Sequence, residues 1–239
     1  MEHFLYEGNS KKIYQHGEDK VKLEFKNDAE PGWDLGGRGE LVCDLSATMF
    51  EELHKYNVAT HFIEKLNDTA HICQQVTIIP IVFIVRNIAE ATFCKRYGME
   101  VGTELKHTII EFCVKDADLN NPLISDDAVT ALGITDKVTL DYLRKESTYI
   151  NELLTNIFAK CGLELMDLRL EFGLTPNGTI LLADEICPDK MKLRVMENMS
   201  KYMELFRAQP LPCAGYRKLK RLLAEYNLTE RGINEPTTI

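Results

Sequence analysis

The chain has 239 residues, of which 45% are apolar and 27% charged; these proportions are typical of a soluble globular protein and exclude a largely disordered one. At roughly 150 residues per domain this length predicts one or two domains with a buried core that needs no disulfide or metal staples. The 37 acidic and 28 basic residues give a formal charge of −9, which argues against a general nucleic-acid binder but leaves room for a locally basic anion site.

The composition also predicts a cytoplasmic protein with no membrane partner and no nucleic-acid partner. The most apolar run, residues 78–85, is too short to span a bilayer, and the first residues lack the features of a signal peptide. The seven cysteines form no C-x-x-C pair and match neither a zinc site nor a disulfide framework, which favours reduced thiols.

The first part of the chain predicts short strands joined by turns. Strands are expected over 4–7, 12–15 and 20–25. Gly8-Asn9-Ser10 forms the turn between the first two strands. Residues 27–40 contain four glycines and a proline, which indicates a flexible loop. Apolar residues recurring on one side then predict a helix over 45–56.

The rest of the chain predicts a mixture of strands and helices. Strands are expected over 74–86 and 108–115, a long helix over 136–161, a hairpin over 163–186, and helices over about 197–207 and 214–226. Strands first and mixed elements later favour an α+β fold. We expect a small β-rich N-terminal lobe (1–85) and a larger α+β C-terminal lobe (86–239).

The first strand of the hairpin carries the residues with the clearest chemical potential. Because successive strand side chains point to opposite faces, Asp167, Arg169 and Glu171 should share one face, with the intervening apolar residues on the other. Taken alone, this pattern is typical of a half-buried strand with a solvated polar face.

The returning strand suggests a site for a divalent cation. Asn177-Gly178 is a strong hairpin signal, and with these residues at the tip Glu171 would lie opposite Asp184 and Arg169 opposite Ile186. Two carboxylates facing each other repel and need a compensating cation. Two carboxylates with nucleotide phosphates and water are typical of Mg²⁺, so we predict a metal site at Glu171 and Asp184. An off-centre bulge in the loop would break this pairing.

Two glycine-containing segments are candidate phosphate sites. The turn carrying Gly8, Ser10 and Lys11 offers backbone N–H groups and an ammonium, although an ordinary turn has the same composition. The segment around Arg38 offers a guanidinium, or it is a mobile surface loop with one solvated arginine.

Several further segments occur in the order found in one family of purine biosynthesis. They are Leu5-Tyr6-Glu7-Gly8 with Lys11 and Tyr14, residues 60–64, Ile79-Pro80 leading to Val85-Arg86-Asn87, Lys95-Arg96 with Glu100 and Gly102-Thr103, residues 167–173, and residues 182–185 with Pro188-Asp189. Over roughly residues 4–195, this collinear set resembles the phosphoribosylaminoimidazole-succinocarboxamide synthase (SAICAR synthetase) family.

The resemblance implies a fold and an activity. A small antiparallel N-terminal lobe would lie over a larger α+β lobe, with ATP between them. The activity would be an ATP- and Mg²⁺-dependent ligation of L-aspartate to the carboxylate of a phosphoribosyl carboxy-aminoimidazole through an acyl phosphate. Family members are often dimers, so a homodimer is among the expectations, although no feature of the sequence shows it.

The resemblance also implies roles for individual residues. The catalytic residues would be Asp167, Arg169 and Lys192. The nucleotide contacts would be Gly8, Ser10, Lys11, Arg38, Glu171 and Asp184, of which the last two would bind the metal. The imidazole-ribotide pocket would add Arg86, Thr92 and Arg207.

Departures from the family pattern concentrate at the acceptor-substrate end. Glu90 lies in a segment that is usually rich in alanine and glycine, and Asn9 stands where a lysine is usual. Arg169 and Lys192 look like a reciprocal exchange of cations, which preserves charge but not bidentate geometry. Two alternatives therefore stay open: the same ligase chemistry on a different carboxylate or amine, and a nucleotide-binding relative without turnover.

Overall fold

A computed structural model describes residues 3–27, 36–196 and 213–230. The helix predicted over about 197–207 and the predicted substrate contact Arg207 lie outside these ranges.

The N-terminal residues form a five-stranded antiparallel sheet, which confirms the three strands predicted there. Its strands are β1 (His3–Glu7), β2 (Lys11–His16), β3 (Lys20–Phe25), β4 (Phe62–Asn67) and β5 (Ala70–Gln74), in the spatial order β1-β2-β3-β5-β4. Ile13, Val21 and Leu23 are buried on one face and pack together, which satisfies the alternation that half-buried strands require.

The larger sheet has six strands. They are β6 (Thr77–Ile88), β7 (Glu104–Val114), β8 (Leu123–Ile124), β9 (Leu163–Leu174), β10 (Ile180–Ala183) and β11 (Met191–Val195). Strand β9 pairs with β6 along one edge and with β10 and β11 along the other. The predicted lobe boundary after residue 85 falls inside β6, whereas the chain changes sheet at Gln75 and Val76.

Helices cover these sheets. They are α1 (Arg38–His54), α2 (Ala91–Tyr97), α3 (Asp126–Ala131), α4 (Lys137–Lys160) and α5 (Cys213–Glu230), with a short 3₁₀ turn over Pro188–Lys190. Helix α4 confirms the helix predicted over 136–161, and Asp136 caps it by accepting a hydrogen bond of 2.8 Å from the Thr139 N–H. None of the described helices is long and apolar enough to cross a membrane.

Helix α1 begins at Arg38, earlier than the predicted start at residue 45. The prediction interpreted Gly39 as part of a flexible loop, but its backbone N–H donates to Asn27 Oδ1 at 2.9 Å. A Cβ atom at Gly39 would lie only 2.7 Å from the Phe25 carbonyl oxygen. Glycine is therefore required here for the close approach of α1 to the end of β3 rather than for flexibility.

One large apolar core joins the six-stranded sheet to α1, α4 and α5. It contains the apolar face of β9, where Leu168, Leu170 and Phe172 are almost completely buried, as the alternation predicts. The opposite face of the sheet is thereby left to carry polar side chains. Asp167 and Glu171 lie on that face.

Candidate active site

A cavity of about 350 Å³ lies between the two sheets. Part of its lining is aliphatic and is formed by Ile13, Val21, Leu23, Val76 and Ile78. Another part is polar and includes Ser10, Lys11, Lys115, Glu171, Asp184 and Lys190. An apolar slot that continues into a charged end suits a ligand with a flat ring and an anionic tail.

The turn between β1 and β2 forms one rim of this cavity. The Gly8 N–H donates to the Lys11 carbonyl oxygen at 2.9 Å, and Asn9 and Ser10 form the tip between them. Gly8, Ser10 and Lys11 all line the cavity, as a phosphate-binding role would require. The Ser10 hydroxyl donates to Glu185 Oε1 at 3.1 Å and so ties the turn to the larger lobe.

Glu171 and Asp184, the two predicted metal ligands, lie close together, but they are not paired across the hairpin as predicted. Residue Glu171 is paired with Ala183, so the predicted pairing with Asp184 is wrong by one position. A five-residue loop over 175–179 separates the last paired residues of β9 and β10, which places Asn177-Gly178 off its centre. Asp184 follows β10 and adopts a left-handed backbone with φ +65°, which redirects the chain there.

Six charged side chains converge at the polar end of the cavity. They are three lysines and three carboxylates: Lys11, Lys115, Lys190, Glu171, Asp184 and Glu185. Lys190 Nζ lies 2.5 Å from Asp184 Oδ2 and 3.5 Å from Glu171 Oε1, so one ammonium bridges the two predicted metal ligands. The cluster carries no net charge when every member is ionised.

These contacts decide the ionisation of the cluster. Burial alone would lower the pKa of Lys11, but contacts with Asp184 and Glu185 outweigh it and raise that pKa above its ordinary value. Burial likewise opposes ionisation of Asp184, yet Lys11 and Lys190 hold its pKa well below the usual range. Burial and the neighbouring Asp184 raise the pKa of Glu185. Asp184 is thus firmly ionised at neutral pH.

His61 holds the backbone of Asp184 in place. Its Nε2 lies 2.9 Å from the Asp184 carbonyl oxygen, and its backbone N–H donates to the Leu182 carbonyl oxygen at 2.8 Å. The carbonyl can only accept, so Nε2 carries the proton. Burial lowers the pKa of His61 to about 4, and burial also lowers the pKa of His71 to about 4. Both imidazoles are therefore neutral in the folded protein at neutral pH.

These two histidines should make folding stability depend on pH. Their pKa values of about 4 lie below the ordinary 6.5, so the unfolded chain binds protons that the folded protein rejects. Their contribution is complete above about pH 6.5 and is lost as the pH falls towards 4. Urea unfolding should show a loss of about 2 kcal/mol per histidine between pH 7.5 and pH 5.

The variant His71→Gln tests this assignment, because glutamine keeps an N–H donor for the Cys43 carbonyl oxygen but does not titrate. The variant is less stable overall, yet its loss of unfolding free energy between the two pH values should be smaller than that of the natural protein by about 2 kcal/mol. An unchanged pH dependence would contradict the assignment.

A second polar cluster lies further along the same face of the sheet. Arg86 on β6 is buried, and its guanidinium donates from Nε to Glu111 at 2.7 Å and from Nη1 to Asp167 at 3.0 Å. Asp167 lies opposite both Arg86 on β6 and Lys192 on β11. Burial raises the pKa of Asp167 although Arg86 opposes the shift. The interpretation of a solvated polar face is wrong for Asp167 and Glu171, which are only 4% and 5% exposed, although Arg169 on the same face is exposed.

Glu90 lies inside this second cluster. Its Oε2 accepts hydrogen bonds from the Thr92 hydroxyl at 2.6 Å and the Thr92 N–H at 3.0 Å, and it lies 3.6 Å from Arg86 Nη1. Burial opposes its ionisation, but the hydrogen bonds from Thr92 and the charges of Arg86 and Lys192 lower its pKa. Arg86 and Thr92, which were predicted as substrate contacts, thus both lie next to the carboxylate of Glu90.

Arg169 and Lys192 share the neighbourhood of Asp167. Arg169 is exposed and lies two residues along β9 from Asp167 on the same face. Burial lowers the pKa of Lys192; Asp167 opposes the shift, and Arg169 adds to it. Asp167, Arg169 and Lys192, which were predicted as catalytic, are therefore neighbours in the structure.

Arg38 lies outside the cavity. Its buried guanidinium pairs with Asp189, and its Nη1 lies 3.4 Å from the Lys26 carbonyl oxygen. The Tyr216 hydroxyl donates to the other oxygen of Asp189 at 2.5 Å. The interpretation of a solvated arginine on a mobile loop is wrong, because α1 already begins here. The geometry assigns Arg38 to the junction of α1, the 3₁₀ turn and α5 rather than to a nucleotide contact.

Sequence reasoning missed Lys115 and Lys190 as members of the cavity. Val82 is paired with Glu171 on one side and with Cys113 on the other. Lys115 lies two residues after Cys113, so strand alternation could have placed its side chain on the same face as that of Glu171. Lys190 had no local signal, because only the 3₁₀ turn after Pro188 brings its side chain to the carboxylates.

The donor set fits Mg²⁺ only in part. Among the described residues, no three His, Cys, Asp or Glu side chains converge to hold a metal by themselves. Glu171 and Asp184 nevertheless provide two hard oxygen donors beside a charged cavity end, and Mg²⁺ typically takes one or two carboxylates together with phosphates and water.

Known proteins resemble this chain over most of its length. Residues 4–206 match the family model described as SAICAR synthetase. The phosphoribosylaminoimidazole-succinocarboxamide synthase of Finegoldia magna is 44% identical over 79% of this chain and 84% of its own. The enzyme of that name from Ehrlichia chaffeensis superposes with a TM-score of 0.83 at 28% identity, covering 92% of this chain and 98% of its own.

A SAICAR synthetase solved in complex with ADP superposes with a TM-score of 0.84 at 28% identity, covering 92% of this chain and 97% of its own. These likenesses agree with the α+β fold and its antiparallel sheets. The chain belongs to the SAICAR synthetase family.

Proposed function

We propose that this protein is an ATP-dependent ligase that joins L-aspartate to the carboxylate of phosphoribosyl carboxy-aminoimidazole. The family match and the relatives' names support the reaction. The cavity between the sheets is proposed to bind ATP, with its aliphatic part against the base and Ser10 and Lys11 near the phosphates.

The observation that carries the proposal is the course of β9. This strand has Glu171 at the charged end of the cavity and Asp167 in the Arg86 cluster, four residues apart on one face. At about 3.3 Å per residue, the backbone positions of the two residues lie roughly 13 Å apart along the strand. Arg169 stands between them. Phosphates that extend from Glu171 and an acceptor that extends from Asp167 would therefore meet beside Arg169, where the reacting atoms must come within about 3.5 Å.

The arrangement fits a two-step ligation. A carboxylate oxygen of the imidazole attacks the γ-phosphorus of ATP, ADP leaves, and an acyl phosphate forms. The aspartate amine then attacks the acyl carbon, loses a proton, and expels inorganic phosphate. Arg169 and Lys192 are placed to neutralise the anionic oxygens, because the paired strands β9 and β11 hold both side chains in the neighbourhood of Asp167.

We infer Mg²⁺ binding at Glu171 and Asp184. When bound, the ion would neutralise phosphate charge and polarise the transferring group. The protein itself contributes the fixed carboxylates, the ammonium groups of Lys11 and Lys190, and a cavity that limits the access of water.

An omission assay tests the proposed reaction. The complete mixture contains ATP, Mg²⁺, aspartate and the imidazole ribotide, and each control omits one of these components. The products are identified by mass spectrometry. The succinocarboxamide should form only in the complete mixture, with one ADP released per product. Binding of ADP without any substrate-dependent ADP release would instead favour a nucleotide-binding relative without turnover.

A second candidate is the same chemistry on a different carboxylate or amine substrate. Glu90 favours it, because an internal carboxylate 3.6 Å from Arg86 repels an anionic group of the acceptor. Release of ADP with an alternative carboxylate, but none with the imidazole ribotide, would support this candidate.

The exchanged cations give a third test. If Arg169 and Lys192 hold one anionic group, Arg169→Lys and Lys192→Arg should each lower kcat/KM, and the double variant should recover part of the loss. Residues that share a partner typically show an interaction energy of about 0.5–3 kcal/mol in a double-mutant cycle. Strictly additive losses would mean that the two side chains act on separate groups.

A homodimer and a cytoplasmic location stay predictions that the family resemblance and the composition support. Light scattering of the purified protein tests the first, and cell fractionation tests the second.

A further inference from the structure

The Lys190 ammonium occupies the middle of the carboxylate cluster. Its Nζ lies 2.5 Å from Asp184 Oδ2, 3.5 Å from Glu171 Oε1 and 3.9 Å from Glu185 Oε1. Only 24% of its side chain is exposed. An ammonium among three carboxylate groups neutralises oxygens that would otherwise be available to a metal ion.

The charge of Lys190 sets the net charge of the cluster. Three lysines balance three carboxylates, so the ionised cluster is neutral by itself and has little excess attraction for a free divalent cation. Removing the Lys190 charge would leave the cluster with one net negative charge. An anionic phosphate would at the same time lose one of the ammonium groups that line its cavity.

The 3₁₀ turn fixes this arrangement. Pro188 starts the turn, and the Lys190 N–H donates to the Cys187 carbonyl oxygen at 2.9 Å. Asp189 is anchored by Arg38 and Tyr216 on the other side of the turn. The backbone that carries Lys190 is therefore fixed by contacts on both sides of the turn.

We propose that Lys190 is a built-in cation of the nucleotide site, which stands in for part of the charge of Mg²⁺ and weakens the dependence of nucleotide binding on the metal. This inference rests on the proposed nucleotide site. Lys190 holds Glu171 and Asp184 together and lines the cavity in which the nucleotide would bind. Metal-free ADP should consequently keep measurable affinity for the natural protein.

Calorimetry of ADP binding with Mg²⁺ and with a chelator tests the proposal. The quantity of interest is the ratio of the metal-free Kd to the Kd with Mg²⁺. In Lys190→Met, metal-free binding should weaken and metal-dependent binding should strengthen, so the ratio should rise by about tenfold or more. Thermal unfolding with Mg²⁺ alone should show a larger stabilisation of Lys190→Met than of the natural protein.

Two variants serve as controls. Lys190→Arg keeps the charge and should keep the ratio close to that of the natural protein. Lys137→Met removes an exposed lysine that pairs with Asp141 on α4 and should leave the ratio unchanged. If Lys190→Met binds ADP with the natural ratio, the role of Lys190 is overturned while the nucleotide site stands. If the natural protein binds no ADP under either condition, the nucleotide site and this inference fall together.

Discussion

Replacing Glu171 by Gln or Asp184 by Asn should lower the rate of ADP release by about a thousandfold, because each change removes a charge that the transferring phosphoryl group and its metal require. Both substitutions conserve shape. Asparagine tolerates the left-handed backbone found at Asp184, and Lys115, which pairs with Glu171, is 41% exposed and can turn to water. Lys11 keeps Glu185 as a partner when Asp184 is replaced, so the fold should survive at reduced stability.

Glu164→Gln is the matched control for these variants. Glu164 lies on the same strand, but it pairs with Arg194 at 2.6 Å away from the cavity. Activity should stay near that of the natural protein, and thermal unfolding of all three variants should show that they fold. Turnover of Glu171→Gln or Asp184→Asn within tenfold of the control would contradict the assignment of these carboxylates.

The variant Arg86→Met should produce the largest loss of stability. Arg86 is 3% exposed and donates a hydrogen bond to the buried Asp167, so its removal takes a buried cationic partner from that carboxylate. Breaking a buried ion pair in this way typically costs about 3–5 kcal/mol. Urea unfolding near neutral pH should measure this loss. Adding Asp167→Asn to Arg86→Met should restore part of it.

Arg96→Met provides the comparison. Arg96 also pairs with Glu111, at 2.7 Å, but its side chain is 31% exposed, so water can replace the contact. Its removal should cost no more than about 1 kcal/mol. An equal loss for Arg86→Met and Arg96→Met would show that burial does not govern this cluster.

The hairpin shows which features strand alternation can predict and which it cannot. Alternation placed Asp167, Arg169 and Glu171 on one face correctly, because that pattern depends only on local backbone geometry. The pairing of Glu171 with Asp184 required the loop conformation, and an odd number of loop residues shifted the register by one. The two carboxylates still meet, because Asp184 leaves the strand and its backbone is held by His61.

Long-range packing explains what the sequence did not reveal. Glycines around Arg38 suggested a loop, whereas contacts with Phe25 and Asp189, distant in sequence, fix a helix start there. The bridging position of Lys190 depends on the 3₁₀ turn and on partners from β9 and β10, so no window of local residues contains it.

Transfer of an oxygen isotope tests the proposed ligation most directly. The imidazole ribotide is supplied with both carboxylate oxygens as ¹⁸O, together with ATP, Mg²⁺ and aspartate. Phosphorylation of that carboxylate predicts one ¹⁸O in each inorganic phosphate released and one in the amide of the succinocarboxamide, with one ADP per product. Formation of the succinocarboxamide with unlabelled phosphate, or release of ADP without that product, would contradict the account.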